Sequence, residues 1–285
     1  MRQITSAETL AEVLAAPARW GCAAGLLPAD VAPPETVLWF RPLTVDDARA
    51  AAFRAMRDVG KDATDTDANC GILAAGVYLS DTDEPTEADL TPVWSSAAEA
   101  AEFGDPSVMG SVSNDLMVAL ATATGFSAAP VDAGEERDAA SVRARLRHRG
   151  RWVAGLFQAE PEAAVWVRSV TEGERRQAAE GSRMPVGGDA WVHNPIEFLR
   201  VLLSFAVRTG PGGAPLLTVN DAGRLPFGAA RALDLAITEL TMGVVGSAVP
   251  AIRFRNLRDT AAAEGAGGAT GVVGGGEAGD GAGDA

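Results

Sequence analysis

The sequence predicts a mainly α-helical chain, α+β with short strands: two similar helical units in tandem, then a disordered glycine-rich tail. Three observations predict it. Val37–Arg49, VLWFRPLTVDDAR, returns as Ala164–Arg176, AVWVRSVTEGERR, so that Trp39 aligns with Trp166, Arg41 with Arg168, Thr44 with Thr171 and Arg49 with Arg176. Ahead of each copy stands the same tripeptide, Ala24-Gly25-Leu26 and Ala154-Gly155-Leu156. Each unit closes on a helix stopped by glycine, Gly125 and Gly243. A fixed internal period marks a repeated supersecondary unit. The expected division is a first unit over 1–126, a linker over 127–134, a second unit over 135–250, a short extension over 251–260 and a tail over 261–285.

In the first unit, Ser6–Ala15 reads as a helix capped by Ser6, with Leu10, Val13 and Leu14 on one face. Trp20–Leu27 is apolar and reads as a strand or a buried connector, and Pro33-Pro34 breaks the chain. Val37–Phe40 is apolar at every position, which predicts a strand covered on both faces. Thr44–Arg57 follows as a helix with Val45, Ala48, Ala52 and Met56 in a stripe. Its start is a capping box: the Thr44 hydroxyl accepts from the amide three residues on, and Asp47 reaches back to the cap N–H. Gly60–Asp67 is a polar loop, and Asp67 caps a helix over Ala68–Leu79. Ser80–Asp89 is an acidic turn. A short helix falls within Pro92–Phe103, and Asp105-Pro106 opens a long one that runs to about Thr124.

The second unit opens with a charged helix over Glu135–Arg149 and an apolar stretch, Trp152–Phe157. Thr171 and Glu174 form the second capping box, starting a helix over Glu172–Gly181. Met184–Asp189 reads as loop. Pro195–Val207 is an apolar helix, Gly210–Pro215 a glycine-rich loop and Phe227–Met242 the last helix. Ile252–Asp259 alternates basic and apolar residues, as a further strand or short helix would. From Ala261 onward glycine, alanine and acid dominate, too little apolar surface to offset the entropy of ordering.

The 285 residues carry a net charge of −14. Sequence-independent nucleic-acid binding needs a basic face, and an anionic membrane repels an acidic one, so neither is expected. Cys22 and Cys70 form no CxxC pair or disulfide framework. No apolar run reaches the roughly 20 residues of a membrane-spanning helix, and no basic-then-apolar leader is visible. The expected address is the cytoplasm.

No residue is assigned to catalysis, to a cofactor or to a metal. His148 and His193 lack ligand spacing and read as surface or capping residues. Serines lack the GxSxG elbow, and the glycine pairs belong to no phosphate-binding fingerprint. Asp81, Asp83 and Glu84 only faintly resemble a calcium loop and read as a solvated turn. Trp39 and Trp166 are expected core anchors, with Thr44 and Thr171 as the caps beside them. Trp94, at a loop–helix corner after Pro92, is the candidate interface residue, since aromatics concentrate at binding hot spots.

The order W-[FV]-R-P-L-T, an Arg- and acid-rich helix, a Leu-Ala helix, the acidic turn at Asp81–Pro85, Val93–Phe103 and a final helix stopped by Gly125 resembles the phage tail assembly chaperones of high-GC actinobacterial phages. The resemblance covers about Val37–Phe126. About Val165–Gly243 is similar more loosely, as in a tandem duplication, and lacks the proline after Arg168. The resemblance implies a non-enzymatic protein, without cofactor, working in the bacterial host cytoplasm. It would bind the tape measure protein, keep it soluble and help recruit tail tube subunits; self-association is compatible. Many such proteins are made in two lengths by a programmed frameshift, and Gly274-Gly275-Gly276-Glu277 permits a run of G in the gene. The competing readings are a structural or regulatory part of a contractile injection or phage-tail-like particle, and an enzyme with a dispersed site.

Overall fold

In a computed structural model the described residues are 2–16, 18–27, 32–82, 84–102, 106–123, 131–132, 150–242 and 253–254. The first half runs β1 (Arg2–Gln3), α1 (Ala7–Leu14), β2 (Gly21–Ala24), β3 (Val37–Phe40), α2 (Val45–Val59), α3 (Asp65–Gly76), β4 (Val77–Leu79), a 3-10 turn (Glu87–Asp89), β5 (Thr91–Pro92), α4 (Ala97–Ala101) and α5 (Pro106–Ala123). The second runs β6 (Val131–Asp132), β7 (Gly150–Ala154), β8 (Ala163–Arg168), α6 (Glu172–Gly181), β9 (Arg183–Gly187), β10 (Ala190–His193), α7 (Pro195–Ala206), β11 (Val207–Arg208), α8 (Val219–Gly223), α9 (Phe227–Met242) and β12 (Arg253–Phe254).

Helices and sheets share the architecture, so the expectation of a mainly α chain is corrected to a mixed one. One five-stranded sheet has the order β12-β2-β3-β4-β5. The other runs β1-β8-β7-β6, with β11 also on β8, and β9 with β10 makes a separate hairpin. The strands are short, two to six residues, and several pair with partners far away in sequence. That is why helical periodicity dominates the sequence signal.

The strands of the two halves interleave. β1 pairs in parallel with the start of β8, β6 pairs with β7, and β12 pairs with β2 of the first sheet. Residues read as linker and as extension thus include ladder strands. β8 is buried at all six positions, as a strand covered on both faces must be. Trp152 faces Trp166 across the β7–β8 ladder, edge to face, with centroids 5.6 Å apart.

The helix starts follow the capping chemistry. Thr44 with Asp47 and Thr171 with Glu174 both form complete boxes. Three more, Thr64 with Asp67 at α3, Thr86 with Asp89 at the 3-10 turn and Thr218 with Asp221 at α8, escaped the sequence reading, which took Asp67 itself as the cap. Several boundaries differ from expectation, and Val207, read as the end of the helix from Pro195, instead begins β11. α3 starts at Asp65, after Thr64, and ends at Gly76. Val77-Tyr78-Leu79, read as its last turn, instead forms β4 beside β3, consistent with the strand preference of β-branched and aromatic residues. Met184–Asp189, read as loop, belongs to the β9–β10 hairpin, turned at Gly187 and Gly188 with φ of 127° and 56°. The helix expected over Glu135–Arg149, the glycine stops at 125 and 243, and the tail lie outside the described residues.

One apolar cluster extends from Ile4 to Leu240 and takes side chains from both halves. Helices α2 and α3 approach closely through small residues. A Cβ on Gly71 would stand 2.6 Å from the Ala51 carbonyl oxygen and 2.8 Å from the Ala55 methyl.

Candidate functional site

The turn that follows β3, Arg41-Pro42-Leu43-Thr44, is clamped from two sides. The Arg41 amide donates to Gly76 O at 2.9 Å. The Phe227 amide donates to Leu43 O at 2.7 Å and the Val45 amide to Leu225 O at 2.9 Å, tying the turn to the second half. Where these meet α1 and the segment after β7, a cleft of about 100 Å³ opens. Val13, Leu43, Phe157 and Pro226 give it apolar walls, and Gln158 and Arg224 supply its polar groups.

The Gln158 amide donates to Ala123 O at 2.5 Å, while its Oε1 is buried with no hydrogen-bond partner. Arg224 is exposed. Asp221, three residues earlier, is turned onto Thr218, whose hydroxyl and amide hold the carboxyl below its ordinary value. The cleft therefore combines apolar walls with one cation, Arg224. Small-molecule sites span roughly 300–1,000 Å³. This one has room for a single apolar side chain, the size of an interface anchor pocket.

Beside it an ion network joins α2 to α7. Arg200 Nη1 lies 3.1 Å from Asp46 and 3.5 Å from Glu197, and Arg49 Nε lies 3.4 and 3.5 Å from the same two carboxylates. With the Asp46 side chain 47% exposed, these pairs add little to stability. A second recess, of about 70 Å³, lies over α9 between Val170, Phe198 and Ile237. Burial raises the Asp234 carboxyl there, against the opposing influence of Arg231.

Trp39 and Trp166 are 1% and 2% exposed, and Thr44 and Thr171 cap α2 and α6. Trp94 does not offer a surface: at 4% exposure it packs into the main core, because the corner before α4 folds inward. The exposed tryptophan is Trp191, at 58%. Its signal in the sequence was the Gly187-Gly188-Asp189 turn followed by an aromatic. His193, read as a surface or capping residue, is exposed, with Nδ1 2.5 Å from Ser182 Oγ. His148 lies outside the described residues.

Among the described residues, no group of three or more His, Cys, Asp or Glu side chains is placed to hold a metal, and no helix is long and apolar enough to cross a membrane. Comparison of the chain with protein-family models, curated proteins and solved structures finds no match.

Proposed function

We propose that the chain is a non-enzymatic tail assembly chaperone of a phage or phage-like particle. It holds apolar segments of the tape measure protein in the host cytoplasm and helps recruit tail tube subunits. The observation that carries this reading is the position of the cleft. One of its walls is Pro42-Leu43-Thr44, part of the W-F-R-P-L-T stretch on which the resemblance rests. An apolar pocket with room for one side chain suits a protein that grips successive anchors on a long amphipathic helix. Helix-in-groove recognition works through such anchors at i, i+3 and i+4. Covering exposed apolar stripes and adding net negative charge both oppose aggregation.

The reading includes a tandem duplication. The order β2, β3, α2, α3, β4, α5 in the first half parallels β7, β8, α6, α7, β11, α9 in the second. In both, the second helix runs straight into a strand that pairs antiparallel with the half's central strand.

Co-expression tests the proposal. The soluble yield of a tape measure protein from the same gene cluster rises with this chain. It falls back with Ala159→Trp, which fills the cleft from an exposed position and removes no core side chain. A tape measure protein equally insoluble with and without the chain sinks the reading. Finding the chain in purified particles favours a structural component instead.

A further inference from the structure

We propose that the β9–β10 hairpin docks on the acidic surface formed by Asp81 and Glu87 of a second copy of this chain, giving a reciprocal two-fold contact. Trp191 is the most exposed large apolar side chain among the described residues, and it is not on a loose loop. Ser182 and Asn194, at the base of the hairpin, are both fully buried, and the Asn194 amide donates to Ser182 O at 3.0 Å. The inner face is fixed by Val192, within the core, and Val186 against it. Pleating therefore forces Arg183, Pro185, Trp191 and His193 outward together, with Trp191 opposite Pro185 and His193 opposite Arg183.

This face has the wrong charge for its chain. The protein carries −14, yet the outward set is an aromatic, a proline, an arginine and a histidine. An aromatic beside a cation selects a negatively charged partner surface with some apolar area. The chain supplies one. Asp81, Glu84 and Glu87 are exposed on the turn between β4 and β5, next to the half-buried Leu90.

The two surfaces sit where the halves differ. At the place of the hairpin the first half has only the short stretch Gly60–Thr64 between its helices. At the place of the acidic turn the second half has Thr209–Ala214, with no acid. Each copy thus carries one hairpin and one acidic turn, and a two-fold apposition satisfies both twice. Trp191 supplies the buried anchor, while the ion pairs, individually weak on a surface, set the register.

Sedimentation velocity of the full chain from about 1 µM to about 100 µM at low salt tests this. The expected result is a dimer at the upper end. Trp191→Ala and Arg183→Glu each weaken it roughly tenfold or more while leaving the circular dichroism spectrum unchanged. Arg183→Glu combined with Asp81→Lys and Glu87→Lys restores it. A wild-type chain that stays monomeric throughout overturns the proposal, as does a Trp191→Ala chain that dimerises equally well. Failure of the charge reversal to restore the dimer overturns the acidic turn as the receiving surface.

Discussion

Arg168, at the end of β8, closes a two-pronged ion pair onto Glu174 in the first turn of α6, with Nη1 and Nη2 at 3.0 and 2.5 Å from its carboxylate oxygens. The same carboxylate accepts from the Thr171 amide at 2.9 Å. Strand end, helix cap and first turn are therefore joined through one side chain. Arg168 is 7% exposed, and its own Nη1 also donates to Ser169 O at 2.8 Å. The matching residues of the first half behave differently. Asp47, one methylene shorter, serves the Thr44 cap, while Arg41 is exposed. The buried guanidinium also reaches Arg208, whose pKa is lowered by burial first and by the Arg168 charge second.

This pair sets an acid limit on stability. Burial alone would raise the Glu174 carboxyl, but hydrogen bonds from Arg168 and Thr171 and the Arg168 charge outweigh it and hold it at about 2, from 4.5. A carboxyl depressed in the folded state stabilises the fold above its unfolded pKa, and that contribution is lost as pH falls through the folded value. The contribution is therefore complete above about pH 4.5 and disappears between there and about 2, a change on the order of 2 kcal/mol after solvent screening. Glu174→Gln flattens the fall across this window. Urea melts of both chains at pH 6 and pH 3 measure it. Equal slopes would mean that other carboxylates, such as Asp221, govern the acid transition.

The capped turn and its tryptophan differ in how they contribute. Thr44→Ala removes one capping hydrogen bond and costs ~1 kcal/mol. Trp39→Ala empties a site that is 1% exposed and costs ~3–5 kcal/mol. Denaturant melts that rank the two the other way would show that the β2–β3 ladder repacks around the lost indole.

Much of this is legible in the sequence. Caps announce helices locally, so Thr44 and Thr171 marked α2 and α6, and an all-apolar strand marked Trp39 and Trp166 as buried. Pairing over long distances was not legible. Arg2–Gln3 finds Ala163–Ala164, and Arg253–Phe254 finds Gly21–Cys22, and strands of two residues carry no periodicity to reveal them. The hairpin was hidden because proline and paired glycines read as loop, although Met184, Val186 and Val192 alternate. Trp94 misled because a loop–helix corner after Pro92 reads as surface, while in the fold that corner packs into the main core. The cleft needed both halves in place: Leu43 and Pro226 are brought together by the Phe227–Leu43 and Val45–Leu225 bonds, between residues far apart in sequence.

Gly223 offers a sharper test of how the halves are joined. It ends α8, and a Cβ there would fall 2.4–2.6 Å from the carboxylate atoms of Asp46. That carboxylate is held in place by Arg200 and Arg49, so it cannot swing aside without breaking the network. Gly223→Ala therefore costs about 1–3 kcal/mol through overpacking. Asp46→Ala removes the obstacle as well as the charge, leaving Arg200 to Glu197 and Asn220. In that background Gly223→Ala costs only a few tenths of a kcal/mol, so the two substitutions couple by roughly 1–2 kcal/mol. A double-mutant cycle from equilibrium unfolding measures the coupling. Strictly additive penalties would mean that the glycine is needed for its backbone alone, and that Asp46 yields freely despite its two arginines.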